Sequence, residues 1–190
     1  MNELGRRTGL PDALRLLLAE YPRDIWESHR NFDGLTRFWL QRHMMFRDGL
    51  ARLQAEAEGF LDGRSDARGY AQRTARLAGF VLNELHGHHQ IEDVHYFPLL
   101  ARLEPRLAPG FELLDRDHQA LDGHLHGLAG AAQVVLDAVV AGPGAAGQGA
   151  AEAAGALHAR LAGFERFLDR HLIDEEELVV PVILHHAPRM

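Results

Sequence analysis

Apolar positions recur at three- and four-residue spacing along most of the chain, and period-two alternation is nearly absent. That pattern predicts helices and no sheet. A short leading helix is expected over about 10–20, stopped near Pro22. Four longer helices follow. The first, about 31–61, carries the stripe Phe32, Thr36, Trp39, His43, Phe46, Leu50 and Leu53. A turn at Asp62-Gly63-Arg64-Ser65-Asp66 leads to the second, about 66–103, with the stripe Leu77, Val81, Leu85, His88, Glu92, Tyr96 and Leu99. Pro98 should kink this helix or force a local irregularity. After a break over 104–110, the third spans about 111–141 on Phe111, Leu114, His118, Leu121, Leu125, Leu128, Ala132, Val135 and Val139. Residues 142–149 are rich in Gly, Ala and Pro and read as a flexible loop. The fourth helix, about 150–184, presents Leu157, Leu161, Phe164, Leu168, His171, Glu175, Leu178 and Val182, with Pro181 near its end. Heptad-like stripes joined by short loops pack nearly antiparallel. The expected fold class is therefore all-α: an up-down-up-down antiparallel four-helix bundle with a short extra N-terminal helix. Three parts are expected: an N-terminal helical extension over 1–30, the bundle over 31–184, and a C-terminal tail over 185–190. The extension lies outside the expected bundle core, where it covers one end or mediates association.

Every one of the four stripes is interrupted by histidine, at His43, His88, His118 and His171. Two carry a glutamate four residues later, Glu92 and Glu175, on the same helix face. Counted from the loops, His43 and His88 lie about 20 and 22 residues from the first turn, and His118 and His171 about 24 and 22 from the Gly-rich stretch. His88 and His118 match less closely, about 16 and 9 residues from the intervening break. At ~1.5 Å rise per residue most of these offsets are under two helical turns, so the four histidines fall near one layer. A buried carboxylate without a partner costs several kcal/mol. Four imidazoles and two carboxylates in one core layer therefore call for a cation. Imidazole with carboxylate suits iron, manganese or zinc, and the donors outnumber those that one zinc requires. Two ions sharing Glu92 and Glu175 use the set better, with iron the first choice and manganese or zinc behind it.

Composition narrows the classes further. A length of 190 residues makes one domain the default, and 46 % apolar residues can fill its core. A net charge of −7 without a basic cluster argues against nucleic acid and anionic membrane as partners. The absence of cysteine removes disulfides, thiolate zinc sites, iron–sulfur clusters and cysteine nucleophiles. The leading apolar run, 14–19, is too short to span a bilayer and has no clear cleavage site, so cytoplasm is the expected location. No phosphate-binding glycine loop is present, since the glycines of 142–149 lack a following Lys-Ser or Lys-Thr.

The segment His88-His89-Gln90-Ile91-Glu92-Asp93-Val94-His95-Tyr96-Phe97-Pro98, with His171-Leu172-Ile173-Asp174-Glu175-Glu176, His118 and the stretch 39–47 around His43, resembles the hemerythrin-like (HHE cation-binding) family. The resemblance covers about 32–182. It implies a four-helix bundle holding two non-haem iron ions joined by carboxylate or oxo bridges, with His43, His88, Glu92, His118, His171 and Glu175 as ligands. Family members use one more ligand, and here Asp122, four residues after His118, and His89 are the alternatives. Oxygen-carrying members place a histidine where this chain has Asp122, and an aspartate five residues after the last histidine, where this chain has Glu175 at four and Glu176 at five. An extra carboxylate favours the ferric state and shifts weight from reversible oxygen carriage toward response to oxygen, nitric oxide or peroxide, or toward iron handling. A ferritin-like site is disfavoured, because it needs a Glu-x-x-His pair on each of two helices and only Glu92 with His95 matches.

Three functions are therefore in competition. The first is a binding or sensing protein for a small diatomic or peroxide ligand, or for iron itself. The second is a peroxide-consuming di-iron enzyme of catalase or peroxidase type, for which His95 is the candidate acid–base group. The third is a structural bundle without functional metal. Among the remaining histidines, His29 is read as a cap or packing residue, His86, His124, His126 and His158 as solvated, and His185 and His186 as part of the tail.

Overall fold

A computed structural model describes residues 3–141 and 146–188, with helices throughout and no strand among them. The α-helices are α1 (Leu16–Glu20), α2 (Gly34–Leu61), α3 (Ala67–Ile91), α4 (Phe97–Leu103), α5 (Ala108–Val140) and α6 (Ala146–His186). Short 3-10 turns occupy Asp12–Leu14, Arg23–Ser28 and Pro105–Leu107, and a π-helical turn, Glu92–Tyr96, joins α3 to α4.

The helix ends follow local chemistry. Asp33 accepts from the Thr36 N–H at 2.7 Å and so caps α2, which starts at Gly34 rather than near residue 31. At the other end Arg64 N–H bonds the Gly59 carbonyl at 2.8 Å and Gly63 N–H bonds Phe60 at 3.0 Å. This is a Schellman closure, and it needs the left-handed φ of 72° that Gly63 supplies. Asp66 then caps α3 through the Gly69 N–H at 2.9 Å. α6 begins at Ala146, so the second half of the expected 142–149 loop is helical; residues 142–145 lie outside the described residues. His185 and His186, read as tail, form the last turn of α6.

Pro98 is accommodated by the irregularity expected from it. A proline cannot donate to the preceding turn, and its ring crowds the carbonyl four residues back. The wider π turn precedes it, with Phe97 N–H reaching back to the Glu92 carbonyl. One residue is thereby added to the helical step. The stripe expected to continue from Glu92 through Tyr96 and Leu99 instead continues through Phe97 and Leu100, which are buried, while Tyr96 and Leu99 are only partly so.

The chain divides into two compact units. One comprises 45–86 and 121–166. Its core is built from the expected stripes: Phe46, Leu50, Leu53, Val81, Leu85, Leu121, Leu125, Leu157, Leu161 and Phe164 are all buried. Each such side chain contributes roughly 1.5–3 kcal/mol on burial. Phe60 and Tyr70 stack with centroids 4.6 Å apart. A Cβ on Gly49 would stand 2.5 Å from Val81 Cγ2, so this glycine permits the close approach of α2 to α3.

The other unit comprises 1–44, 87–120 and 167–190. Its hydrophobic cluster includes Leu10, Leu17 and Trp26 together with Trp39, Phe97, Leu100, Phe111, Leu114, Leu178 and Val182. The 1–30 segment was expected outside the core. Leu10, Leu17 and Trp26 are instead part of that core, because a five-residue helix and two short turns can bury little surface among themselves. No helix is long and apolar enough to cross a membrane, among the described residues.

Candidate metal centre

Seven of the eight expected ligands converge inside this second unit. Two groups form, each with its ligand atoms within 4.8 Å of one another: His43, His88, Glu92 and Glu175, and His89, His118 and His171. α2 supplies His43, α3 supplies His88 and His89, the π turn Glu92, α5 His118, and α6 His171 and Glu175. Asp122 is not among them. It lies 3.6 Å from His86, with both side chains about half exposed, 47 % and 52 %. His89, by contrast, is 3 % exposed and stacks on His118 at 4.0 Å between centroids. The extra carboxylate that weighed toward the ferric state is thus not part of either group.

The two carboxylates stand between the histidine groups. Glu92 Oε1 is 3.0 Å from His88 Nε2, and its Oε2 is 3.8 Å from His118 Nε2. Glu175 Oε2 is 3.6 Å from His43 Nε2 and 3.4 Å from His171 Nε2. Within each group two imidazoles meet nitrogen to nitrogen: His43 Nε2 and His88 Nε2 at 3.0 Å, His118 Nε2 and His171 Nε2 at 3.1 Å.

The far ring nitrogens are held by further carboxylates. His43 Nδ1 lies 2.9 Å from Glu176 Oε1, and His118 Nδ1 2.7 Å from Asp93 Oδ1. His171 Nδ1 stands 3.5 Å from Asp117 Oδ2, an ion-pair distance rather than a hydrogen bond. A proton on Nδ1, donated outward to a carboxylate, leaves the Nε2 lone pair pointing inward, the tautomer a metal requires. Trp39 Nε1 donates to Glu92 Oε1 at 2.6 Å and fixes that carboxylate. Of these supporting residues, Trp39 reads from the sequence as a core residue that keeps the site dry, and Asp117 carries no periodic signal. Asp117 could have been found, since it directly precedes His118 on α5.

Charges in the site follow from burial. Burial holds His43 below the ordinary imidazole value despite Glu176. Burial, with His118 and His171 alongside, holds His89 well below it. Burial brings His171 down to about 4 despite Asp117. All three rings are therefore neutral near pH 7. Glu92 is pushed up by burial but pulled well below the usual carboxylate value by His88 and its other neighbours. Glu175 is raised well above it by burial and the Glu92 charge.

These residues fit a cation. Glu92 Oε2, both oxygens of Glu175 and both ring nitrogens of His89 are buried without a hydrogen-bond partner. Orphaned buried groups of this kind are rare and costly, and lone pairs aimed at one another repel. A positive charge among them would satisfy the carboxylate oxygens and one ring nitrogen of His89.

The remaining histidines separate from the site. His95, the candidate acid–base group, is exposed, and so are His86 and His126. His124 and His158 are partly buried. His29 accepts from the Asn31 N–H at 3.2 Å and packs edge-on against Tyr21. A third group, Glu104, His185 and His186, has its polar atoms engaged: Arg106 grips both Glu104 oxygens at 2.7 and 2.9 Å, and Tyr21 Oη meets His185 Nδ1 at 3.0 Å.

Fold and site together define an all-helical protein with a buried imidazole–carboxylate centre suited to cations. The chain belongs to the hemerythrin HHE cation-binding domain family, whose model matches residues 34–183. No curated protein and no solved structure matches it.

Proposed function

We propose that the chain is a cytoplasmic, non-haem di-iron protein of hemerythrin type that binds or senses a small ligand: oxygen, nitric oxide or peroxide, or iron itself as cargo. In this reading the four long helices follow the up-down-up-down bundle topology. The observation that carries it is the placing of Glu92 and Glu175, each with contacts to both histidine groups. One ion would be held by His43 and His88, the other by His89, His118 and His171, with the two glutamates shared. Five imidazoles and two carboxylates exceed the four donors of a single zinc and suit iron.

When bound, the iron pair would supply redox chemistry and a coordination position for the small ligand. The protein's own part is preparation. Glu176 and Asp93 hold the Nδ1 protons of His43 and His118 outward. Phe97 packs against His118 at 5.4 Å and helps exclude water. An apolar cavity of about 20 Å³, lined by Leu35, Thr36, Trp39, Tyr96, Val179 and Ile183 with Glu92 at its wall, has room for about one water-sized molecule. The exposure of His95 leaves the peroxidase reading without its named acid–base group, and the binding reading is preferred.

The test is metal content with an ultraviolet–visible spectrum, on untagged protein expressed in iron-supplied medium. About two irons per chain with near-ultraviolet ferric bands is the expected result. Zinc alone, or no metal in a well-folded protein, would overturn the reading and favour a structural bundle.

A further inference from the structure

The family match begins at residue 34, but two arginines before it approach the metal centre through its supporting carboxylates. Arg23 Nη1 donates to Glu176 Oε2 at 2.7 Å, and the other oxygen of the same carboxylate lies 2.9 Å from His43 Nδ1. Arg23 is itself steadied over the Trp26 ring at 4.8 Å and beside Glu177 at 3.5 Å. Arg7 is deeply buried, with its side chain 3 % exposed. Its Nη2 donates to Asp117 Oδ2, the oxygen nearest His171 Nδ1, and its Nε donates to Asp174 Oδ2 at 2.7 Å. Asp174 is closed on its other side by Arg170 Nη2 at 2.5 Å, and Arg170 Nη1 ties back to the Thr8 carbonyl at 2.9 Å. The two relays share an order, arginine then carboxylate then Nδ1, and reach one histidine of each ligand group, by a hydrogen bond at His43 (2.9 Å) and at ion-pair distance at His171 (3.5 Å).

Resting on the di-iron reading, we propose that Arg7 and Arg23 are positioning residues for the metal centre. The N-terminal segment clips both histidine groups into their ligand tautomer and orientation. Two features favour this over simple neutralisation of buried acids. Neutralisation needs charge anywhere nearby, whereas here each guanidinium donates to a carboxylate that also faces the Nδ1 of a candidate ligand histidine. Planar forked donors also hold carboxylate orientation in a way an ammonium does not. The same segment buries Leu10, Leu17 and Trp26, so the clip is anchored by the core and not by the ion pairs alone.

Arg23 is the clean test site because its side chain is 42 % exposed and its loss leaves no large void. Arg23→Gln, Arg23→Lys, Arg7→Lys and a control, Arg6→Gln on the exposed Glu3 pair, are compared with the full-length wild type. The readouts are cobalt(II) affinity by chelator competition, the cobalt ligand-field spectrum, and the His43 and His171 tautomers of metal-free protein from long-range ¹H–¹⁵N spectra. Arg23→Gln should keep its melting temperature, weaken cobalt binding by roughly 10–100-fold, shift the ligand-field bands and mix the His43 tautomers. Arg23→Lys should recover part of this. Arg7→Lys should act in the same way on His171, since a single ammonium cannot reproduce the separate planar Nε and Nη donors to Asp174 and Asp117. Arg6→Gln should change nothing. Wild-type affinity, bands and tautomers in Arg23→Gln and Arg7→Lys would overturn the clip while leaving the metal reading intact. Failure of the wild type to bind cobalt or iron would overturn the metal reading, and the tautomers would then decide the clip alone.

Discussion

Glu175 is a fully buried carboxylate among imidazoles, 3.4 Å from His171 and 3.6 Å from His43. Its folded-state pKa is raised well above the unfolded value of 4.5, by burial and by Glu92. Its contribution to metal-free stability is therefore present at low pH and lost as pH rises through the folded value. Glu175→Gln removes that loss. The metal-free variant should melt several degrees above metal-free wild type at pH 8, while its metal content falls; calorimetry and metal analysis on one preparation check both. His171 runs the other way. Its pKa falls from 6.5 unfolded to about 4 folded, so its contribution is present above 6.5 and lost as pH falls toward about 4. Metal-free Glu175→Gln, freed of the opposing carboxylate, should accordingly lose stability steadily across that window in a pH series of thermal melts. His88→Ala or His171→Ala should lower metal content and loaded-state melting temperature together, because ligand binding to the folded state adds to stability. His126→Ala, on an exposed residue, should change neither. Loss of metal from His126→Ala with retention in His171→Ala would show that the ligand set is wrongly drawn.

At the scale of elements, small local rules set where helices begin, end and slip. The turn at Gly63 and Asp66 is legible from sequence because caps and left-handed turns have residue signatures, whereas the expected helix start near residue 31 passes over the Asp33 cap. The π turn was legible only as trouble near Pro98. Its consequence, the move of the buried stripe from Tyr96 and Leu99 to Phe97 and Leu100, depends on how the helix resumes against its neighbours. Two glycines of α2 separate packing from propensity. Gly49→Ala places a Cβ 2.5 Å from Val81 Cγ2 and should destabilise by about 1–3 kcal/mol. Gly59→Ala meets nothing within 4 Å and should stabilise by roughly 0.5–1 kcal/mol through helix propensity. Chemical denaturation of the two variants tests the pair, and a reversed order would mean that α2 does not pack closely on α3 at Gly49.

For the molecule as a whole, folding and metal binding should be linked. Chelation of the metal at pH 7 should lower the melting temperature, with each 100-fold excess of metal over its Kd worth about 2.7 kcal/mol. An unchanged melt after complete removal would separate the centre from the fold. The sequence by itself determined the helical class, most of the four long stripes and the candidate set His43, His88, Glu92, His118, His171 and Glu175, because a 3.6-residue period with histidine and glutamate on its apolar face is a local pattern. Spacing alone left His89 and Asp122 level, since one is adjacent to a ligand and the other a turn away. Only the folded chain separates them, burying His89 against His118 and leaving Asp122 half exposed beside His86. Tertiary structure also decided where residues 3–30 pack. Arg7 and Arg23 carry no periodic signal, and their partners Asp117 and Glu176 are more than 100 residues away in the chain. Side chains so distant in sequence meet only once the core has formed.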